Sequence, residues 1–337
     1  METRVLGGSG LNITPVIFGA WAIGGWRWGG GVESESIAAI QESIDQGINT
    51  IDTAPVYGMG YSEELVGKAI KGRREKVLIA TKGGRSWFTE QGSMPFETTD
   101  SAGNKLTLRS NSRREVLMKE CEDSLRRMQV DVIDLYQIHW PDLTIPIEDG
   151  IETLTLLKKQ GKIRAIGVSN FNPEQLRAIT KVAQVDSLQP PYSLLQRQIE
   201  DEILPVCVEQ NLGVIVYSPM ERGLLTGAVG AERVFPSDDH RSTLAFFSQD
   251  NRRRVLAALE QVKPIADKYR ASFAQIVINW TVSQPGITGA IVGARNPDQA
   301  RHNAQALRFE LSPEELATMS VVFEACSKQM RAATARI

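Results

Sequence analysis

Short apolar runs alternate with amphipathic stretches along the whole of this chain, and that alternation leaves few folds open. The runs cover residues 16–19, 47–52, 77–82, 133–139, 163–168, 187–189, 213–217 and 290–293. Most have the length and β-branched content of strands buried on both faces. Helical patterns fill the gaps. Residues 34–46 carry Ile37, Ile40 and Ile44 at helical spacing. Ser112-Arg113-Arg114-Glu115 reads as a capping box opening a helix to about Met128. Residues 147–160 form a pattern closed by Gly161, and Asn172-Pro173 is an N-cap followed by proline at the first helical position. Ser272 with Gln275 opens another helix ahead of Pro285-Gly286, and Pro313 starts a last one reaching about Glu324. Alternating strands and helices imply a parallel sheet with covered faces. About eight such units in 337 residues, with no linker between them, predict a single domain over 1–337: an α/β fold, the (β/α)8 TIM barrel. Arg4-Val5-Leu6 and Leu11-Asn12-Ile13, around Gly7-Gly8-Ser9-Gly10, read as a small leading hairpin.

Three segments exceed what a minimal barrel needs: residues 24–31, 86–110 and 227–250. All leave from strand C-terminal ends, so they rise around one mouth. Loops of this length and placement are expected to act as lids or binding loops.

The bulk numbers exclude several classes. Net charge is −2, which gives no electrostatic footprint for nucleic acid or an anionic membrane. The cysteines, Cys121, Cys207 and Cys326, are odd in number and widely spaced, so neither a disulfide framework nor a zinc site is expected. No apolar run approaches membrane-spanning length, and the start has no signal-like apolar stretch. A cytoplasmic protein, monomeric or weakly self-associating and with no metal, is the expectation.

Chemistry concentrates where the strands end. Asp52, Lys82 and His139 each terminate an apolar run, and Tyr57 follows Asp52 by one turn. In a parallel barrel these ends converge on one face. A free phenol has a pKa near ~10 and is a poor acid at neutral pH. The Lys82 ammonium is expected to stabilise phenolate at Tyr57 and lower that value. Asp52 pairs with Lys82, and His139 orients a carbonyl oxygen while Tyr57 delivers the proton. A proton donor aimed at a carbonyl needs a hydride source opposite, and a nicotinamide cofactor is the economical one.

These residues sit in stretches that resemble the aldo-keto reductases. The stretches are Gly47-Ile48-Asn49-Thr50-Ile51-Asp52-Thr53-Ala54-Pro55-Val56-Tyr57-Gly58, Ala80-Thr81-Lys82, Gln137-Ile138-His139-Trp140, Gly167-Val168-Ser169-Asn170-Phe171 and Val216-Tyr217-Ser218-Pro219. Arg222-Gly223-Leu224-Leu225-Thr226-Gly227 and Val292-Gly293-Ala294-Arg295 extend the match, which looks nearer to the bacterial stress-protein and glycerol-dehydrogenase branch than to mammalian aldose reductases. The resemblance implies a catalytic tetrad of Asp52, Tyr57, Lys82 and His139. It implies that Ser169, Asn170 and Gln189 bond the nicotinamide carboxamide and that Tyr217 stacks on the ring. Gly19, Ala20 and Asp52 would complete that end. Ser218, Pro219, Met220, Glu221, Arg222 and Gly223 would follow the pyrophosphate, with Arg241 reaching the phosphates. Ala228 departs from the basic residue expected there.

No Gly-x-Gly-x-x-Gly follows a strand, so a Rossmann site is not expected. Gly293-Ala294-Arg295-Asn296-Pro297 joins the last strand to a helix, and such a helix start is an anion site. Arg295, Gln299 and Asn303 are spaced by four, and arginine suits a phosphate, so NADP(H) is expected over NAD(H). Trp21, Trp87 and Trp140 are expected to wall the substrate pocket with Tyr57 and His139; Phe88 would join them, and Trp26 and Trp28 lie within reach. Small aldehydes, ketones and polyols suit such walls, with glycerol and glyceraldehyde foremost by resemblance. Two rivals stand beside this reading: a slowly turning-over NADP(H)-binding subunit like the potassium-channel β-subunits, and an aldolase using Lys82 as a Schiff base.

Overall fold

The computed structural model describes residues 1–236 and 239–334. Eight parallel strands close into a barrel. They are β1 (Val16–Gly19), β2 (Thr50–Asp52), β3 (Leu78–Gly83), β4 (Ile133–Ile138), β5 (Ile163–Ser169), β6 (Ser187–Gln189), β7 (Gly213–Tyr217) and β8 (Gly289–Gly293). Each pairs with its neighbours in chain order, and β8 returns to β1. The helices are α1 (Glu33–Asp45), α2 (Tyr61–Ile70), α3 (Arg114–Met128), α4 (Ile147–Lys159), α5 (Pro173–Ile179), α6 (Ile199–Glu209), α7 (Gln249–Tyr269), α8 (Phe273–Val282), α9 (Pro297–Ala304) and α10 (Pro313–Thr334).

Strand alternation sorts the side chains. Ile51, Ile79, Ile133, Ile166, Val214 and Val216 point outward into the layer between strands and helices. Ile17, Ala80, Leu135, Ala165, Ile215 and Ile291 fill the lumen. Leu6 and Ile13 of the leading hairpin (Arg4–Val5 with Asn12–Ile13) join that cluster and close the barrel floor. One step further along each strand the inward positions become polar. Asp52 lies opposite Gly19 and Ala80, Lys82 opposite Gln137, and Ser169 opposite Gln189. The register therefore brings the strand ends to one level.

Several sequence expectations need correction. Ser112 forms no capping box: α3 begins at Arg114 with no side-chain cap. Instead Asp142 accepts the Ser112 N–H at 3.2 Å and Asn111 accepts the Arg113 N–H at 3.1 Å, so a carboxylate and an amide side chain replace the box. The boxes at Asn172 and Ser272 do form, each with a glutamine three residues on. The segment 86–110 is no plain loop. It folds into a three-stranded antiparallel sheet (Arg85–Ser86, Ser93–Thr99 and Lys105–Ser110). Helix α7 escaped the pattern reading, since Pro264 inside it reads as a break, and α10 runs well beyond Glu324.

Behind β3 two buried carboxylates grip the residues flanking Lys82. Glu63 of α2 accepts the Thr81 hydroxyl at 2.7 Å and pairs with Arg127 at 2.6 Å. Glu120 of α3 accepts the Gly84 N–H at 2.5 Å, while its other oxygen is buried without a partner. Gly83 is required here, because a Cβ would lie 2.2 Å from the Tyr136 hydroxyl. Burial, only partly offset by the Gly84 N–H, pushes the Glu120 carboxyl from 4.5 up to about 8. An unfolded glutamate ionises near 4.5, whereas the folded one keeps its proton to about 8, so the folded state binds the extra proton across that window and loses stability as pH rises through it. We expect Glu120→Gln to match the parent in urea midpoint near pH 5 and to gain on it progressively to pH 8, by up to a few kcal/mol. A difference that does not change with pH would show that this carboxyl ionises normally.

Candidate active site

Lys82 emerges fully buried from the end of β3 and has three ammonium protons to place. They go to Asp52 Oδ1 at 2.6 Å, to the Thr53 carbonyl at 2.9 Å and to the Tyr57 hydroxyl oxygen at 3.3 Å. The far oxygen of Asp52 accepts from Gln189 Nε2 at 2.8 Å and from Gln137 Nε2 at 3.5 Å. Three strands thus share one carboxylate. With every ammonium proton donated, Lys82 has no lone pair to offer a carbonyl carbon, which weighs against the Schiff-base reading.

Tyr57 is set by a tight turn after β2. Its N–H bonds the Ala54 carbonyl at 3.1 Å, and Gly58 follows in the left-handed region at φ 74°. A Cβ on Gly58 would lie 2.3 Å from the Gly24 carbonyl, so only glycine lets the loops after β1 and β2 meet this closely. That contact seats Trp21 against Tyr57, with ring centroids 6.0 Å apart. On the other side the His139 ring meets Tyr57 edge-on, also at 6.0 Å. The His139 backbone is pinned twice, its N–H to Gly83 O at 2.8 Å and its carbonyl to Asn170 Nδ2 at 3.0 Å. Tyr57, Lys82, Asp52 and His139 accordingly meet in one cleft at the barrel's C-terminal end.

The electrostatics differ from the sequence expectation at Tyr57. Burial, and then the Asp52 carboxylate, raise the phenol well above 10, where a lowered value was expected. Burial disfavours the phenolate first, and the Asp52 carboxylate adds to it. Burial pulls the Lys82 ammonium down from 10.5, opposed chiefly by Asp52. Burial, then Lys82 and Arg85, push the His139 imidazole well below 6.5, so the ring is neutral near pH 7. The resting site is therefore a neutral phenol, a neutral imidazole and an ion pair. Both rings keep a partly exposed edge toward the mouth.

The remaining expected residues fall into three groups. At the ends of β5, β6 and β7, Ser169 donates to the Gln189 carbonyl at 2.8 Å, Asn170 donates to Ser169 Oγ at 3.0 Å, and the Tyr217 hydroxyl donates to Asn170 Oδ1 at 2.9 Å. The Gln189 amide also reaches Gln137 Oε1 at 3.3 Å. Gly19 and Ala20 stand beside them, with the Ala20 N–H on the Asp52 carbonyl at 2.8 Å. After β7, Ser218, Glu221, Arg222 and Gly223 all take positive φ, which coils residues 218–223 tightly around Pro219 and Met220. Glu221 is buried, held by Ser193 at 2.7 Å and Arg222 at 3.2 Å. Arg241 forks onto Asp239, with Nη2 to Oδ2 at 2.5 Å, and stacks over Trp28 and Phe235. At the start of α9, Asn296 caps the Gln299 N–H at 2.9 Å, Gln299 accepts the Arg295 N–H at 2.9 Å, and Asn303 donates to the Gly293 carbonyl at 3.1 Å. Ala294 is buried there, whereas Arg295 is exposed and its guanidinium meets the Gly30 carbonyl.

Around Tyr57 an apolar cluster gathers Ala54, Val56 and Leu108 with Trp26, Met59, Trp87 and Phe96. Phe88 is not part of this wall: it is 43% exposed and lies under Lys119 at 5.0 Å, because the short strand Arg85–Ser86 turns it outward. Trp140 is half-buried directly after His139. Sequence reading passed over Gln137, Phe96 and His240. Gln137 could have been found as the inward polar position two before His139. Phe96 needed the hairpin to be recognised first, and His240 opens a single 3-10 turn (His240–Thr243) too short to give a periodic signal.

A nicotinamide dinucleotide fits this face. Arg222, Arg241 and Arg295 supply positive charge, and Arg222 Nε is a buried donor without a partner. A Cβ on Gly223 would meet nothing closer than 3.9 Å, so backbone there is open to a phosphate. Among the described residues no cluster of histidine, cysteine or carboxylate side chains could hold a metal ion, and no helix is long and apolar enough to cross a membrane.

Comparison with known proteins agrees with the geometry. The aldo-keto reductase YhdN of Bacillus subtilis (strain 168) is 38% identical over 327 residues, covering 96% of this chain and 94% of that protein. The NADH-specific methylglyoxal reductase of Escherichia coli (strain K12) is 35% identical over 334 residues, covering 97% and 100%. The solved structure of the glycerol dehydrogenase AKR11B4 from Gluconobacter oxydans superimposes with a TM-score of 0.86 at 39% identity, covering 96% and 95%. The aldo/keto reductase family model matches residues 15–323, and this chain, with its closed eight-stranded parallel barrel, belongs to that family of oxidoreductases.

Proposed function

We propose that this protein interconverts small aldehydes or ketones with alcohols or polyols, glyceraldehyde and glycerol foremost, using NADP(H). The observation that carries the reading is the direction of one hydrogen bond. Lys82 donates to the Tyr57 oxygen at 3.3 Å, so the phenolic proton is not spent on Lys82 and is free to point into the mouth. Tyr57 gives that proton to a carbonyl oxygen, or takes it back from an alcohol. As it leaves, negative charge grows on an oxygen already facing an ammonium, which offsets part of the cost that burial and Asp52 impose on the phenolate. Neutral His139 donates a hydrogen bond to the same carbonyl oxygen and fixes its approach. A bound nicotinamide dinucleotide supplies or accepts the hydride. Ser169, Asn170, Gln189 and Tyr217 would hold its nicotinamide end, with Gly19, Ala20 and Asp52 alongside. Residues 218–223 and Arg241 would follow its phosphates, and Gly293, Ala294, Arg295, Gln299 and Asn303 its far end.

NADP over NAD rests on Arg295, an exposed residue just before the Asn296 N-cap of α9. The relative named NADH-specific argues the other way. Aromatic walls at Trp21, Trp26, Trp87 and Phe96 suit small substrates, and the names of the relatives point to glycerol and methylglyoxal.

Tyr57→Phe is expected to bind nucleotide like the parent and to lose about 10²-fold or more in kcat for aldehyde reduction, the scale of general acid catalysis. Steady-state rates beside nucleotide fluorescence titrations decide this, and unchanged turnover removes Tyr57 from the acid role. Arg295→Glu is expected to raise the Kd of NADPH by about tenfold or more while moving that of NADH far less. Equal weakening of both would mean that Arg295 does not read the 2′-phosphate.

A further inference from the structure

The glycine-rich segment after β1 carries a cation that the reading above does not use. Arg27 adopts φ 63°, a conformation that non-glycine residues rarely take. Both neighbours are pinned. Trp26 Nε1 donates to Thr98 Oγ1 at 2.9 Å, and the Trp28 ring meets His240 edge-on at 5.0 Å and lies under the Arg241 guanidinium at 5.0 Å. The Arg27 carbonyl is held by His240, through Nδ1 at 2.8 Å and through its backbone N–H at 3.4 Å. The side chain is fixed as well, its guanidinium lying over the Phe96 ring at 5.1 Å. Stacking of this kind leaves the N–H edges of arginine free to bond in the plane.

Those edges have no counter-charge: among the described residues Arg27 makes no ion pair, while Arg222 and Arg241 are matched by Glu221 and Asp239. Burial, then the positive charge of Arg222, lower the Arg27 pKa, so a second cation faces the same space. Phe96 and Trp26 belong to the apolar cluster that contains Tyr57, which puts this guanidinium on the substrate side. Nearby, Trp21 Nε1, Trp28 Nε1 and Arg222 Nε are buried donors without partners. Every unsatisfied group just named is a donor, and a rim of donors around a fixed cation recognises an anion.

We infer that Arg27 reads an anionic group on the substrate, so that the enzyme prefers small hydroxycarbonyl compounds carrying a phosphate a few bonds from the reacting carbon. The inference rests on the proposed carbonyl reduction and narrows its substrate class. A phosphate at Arg27 has two sources, the substrate's own and the pyrophosphate of the dinucleotide, and the test separates them. Steady-state kcat/KM is measured for glyceraldehyde 3-phosphate and for glyceraldehyde at fixed ionic strength, with the KM of NADPH, for the parent, Arg27→Gln and Arg27→Lys. The parent is expected to favour the phosphorylated aldehyde by about tenfold or more, the scale of one charge-assisted bond. Arg27→Gln should erase most of that preference, Arg27→Lys should keep part of it, and the KM of NADPH should move less than that of the phosphorylated aldehyde. Equal kcat/KM for the two aldehydes in the parent overturns the inference and leaves carbonyl reduction standing. So does an Arg27→Gln enzyme that weakens NADPH and keeps the parent's preference for the phosphorylated aldehyde. Failure to reduce either aldehyde overturns the proposed reaction itself, and the inference with it.

Discussion

A charge pair sealed inside the barrel governs the rest of this molecule. Lys82 and Asp52 sit 2.6 Å apart with almost no exposure, and desolvating two ions costs several kcal/mol each unless their remaining groups are bonded. The chain meets that requirement completely on the cation side, through Thr53 O and Tyr57, and on the anion side through Gln189 and Gln137. Removing any of these partners leaves a buried group wanting. The polar upper layer of the lumen is thus one connected object, and the apolar layer beneath it supplies the dry floor that makes its electrostatics strong.

That connection explains why the mouth is so constrained in backbone as well. Glycine appears where a Cβ next to Lys82 or Tyr57 would collide with a neighbour: at Gly83 with the Tyr136 hydroxyl, and at Gly58 with the Gly24 carbonyl. Two helix carboxylates, Glu63 and Glu120, hold the strand on either side of Lys82. The tetrad geometry is therefore set from behind by α2 and α3 as much as by the strands that carry it.

The barrel was legible because its signals are periodic and local. Alternation along β1 to β8 gave every strand, and the caps at Asn172 and Ser272 gave two helix starts. The meeting of Asp52, Tyr57, Lys82 and His139 was legible because each closes an apolar run or follows one by a turn. What escaped depended on distant partners. Ser112 has the right sequence for a cap, yet Asp142 from across a loop takes its N–H. The direction of the Tyr57 pKa follows from burial first and the Asp52 carboxylate second, and a list of residues shows neither the depth of the phenol nor the weight of that carboxylate. The sheet between Arg85 and Ser110 has weak alternation and is shaped by the mouth it borders, as is the placement of Arg27 over Phe96.

The hairpin at the chain's beginning bears on proton traffic. Leu6 and Ile13 cork the barrel from below, and Arg4 ties the cork to the Val282 and Ile287 carbonyls. The well above is blind. In the proposed reaction a proton given up at Tyr57 is therefore replaced from the mouth side, where among the described residues resupply and reactants share one doorway.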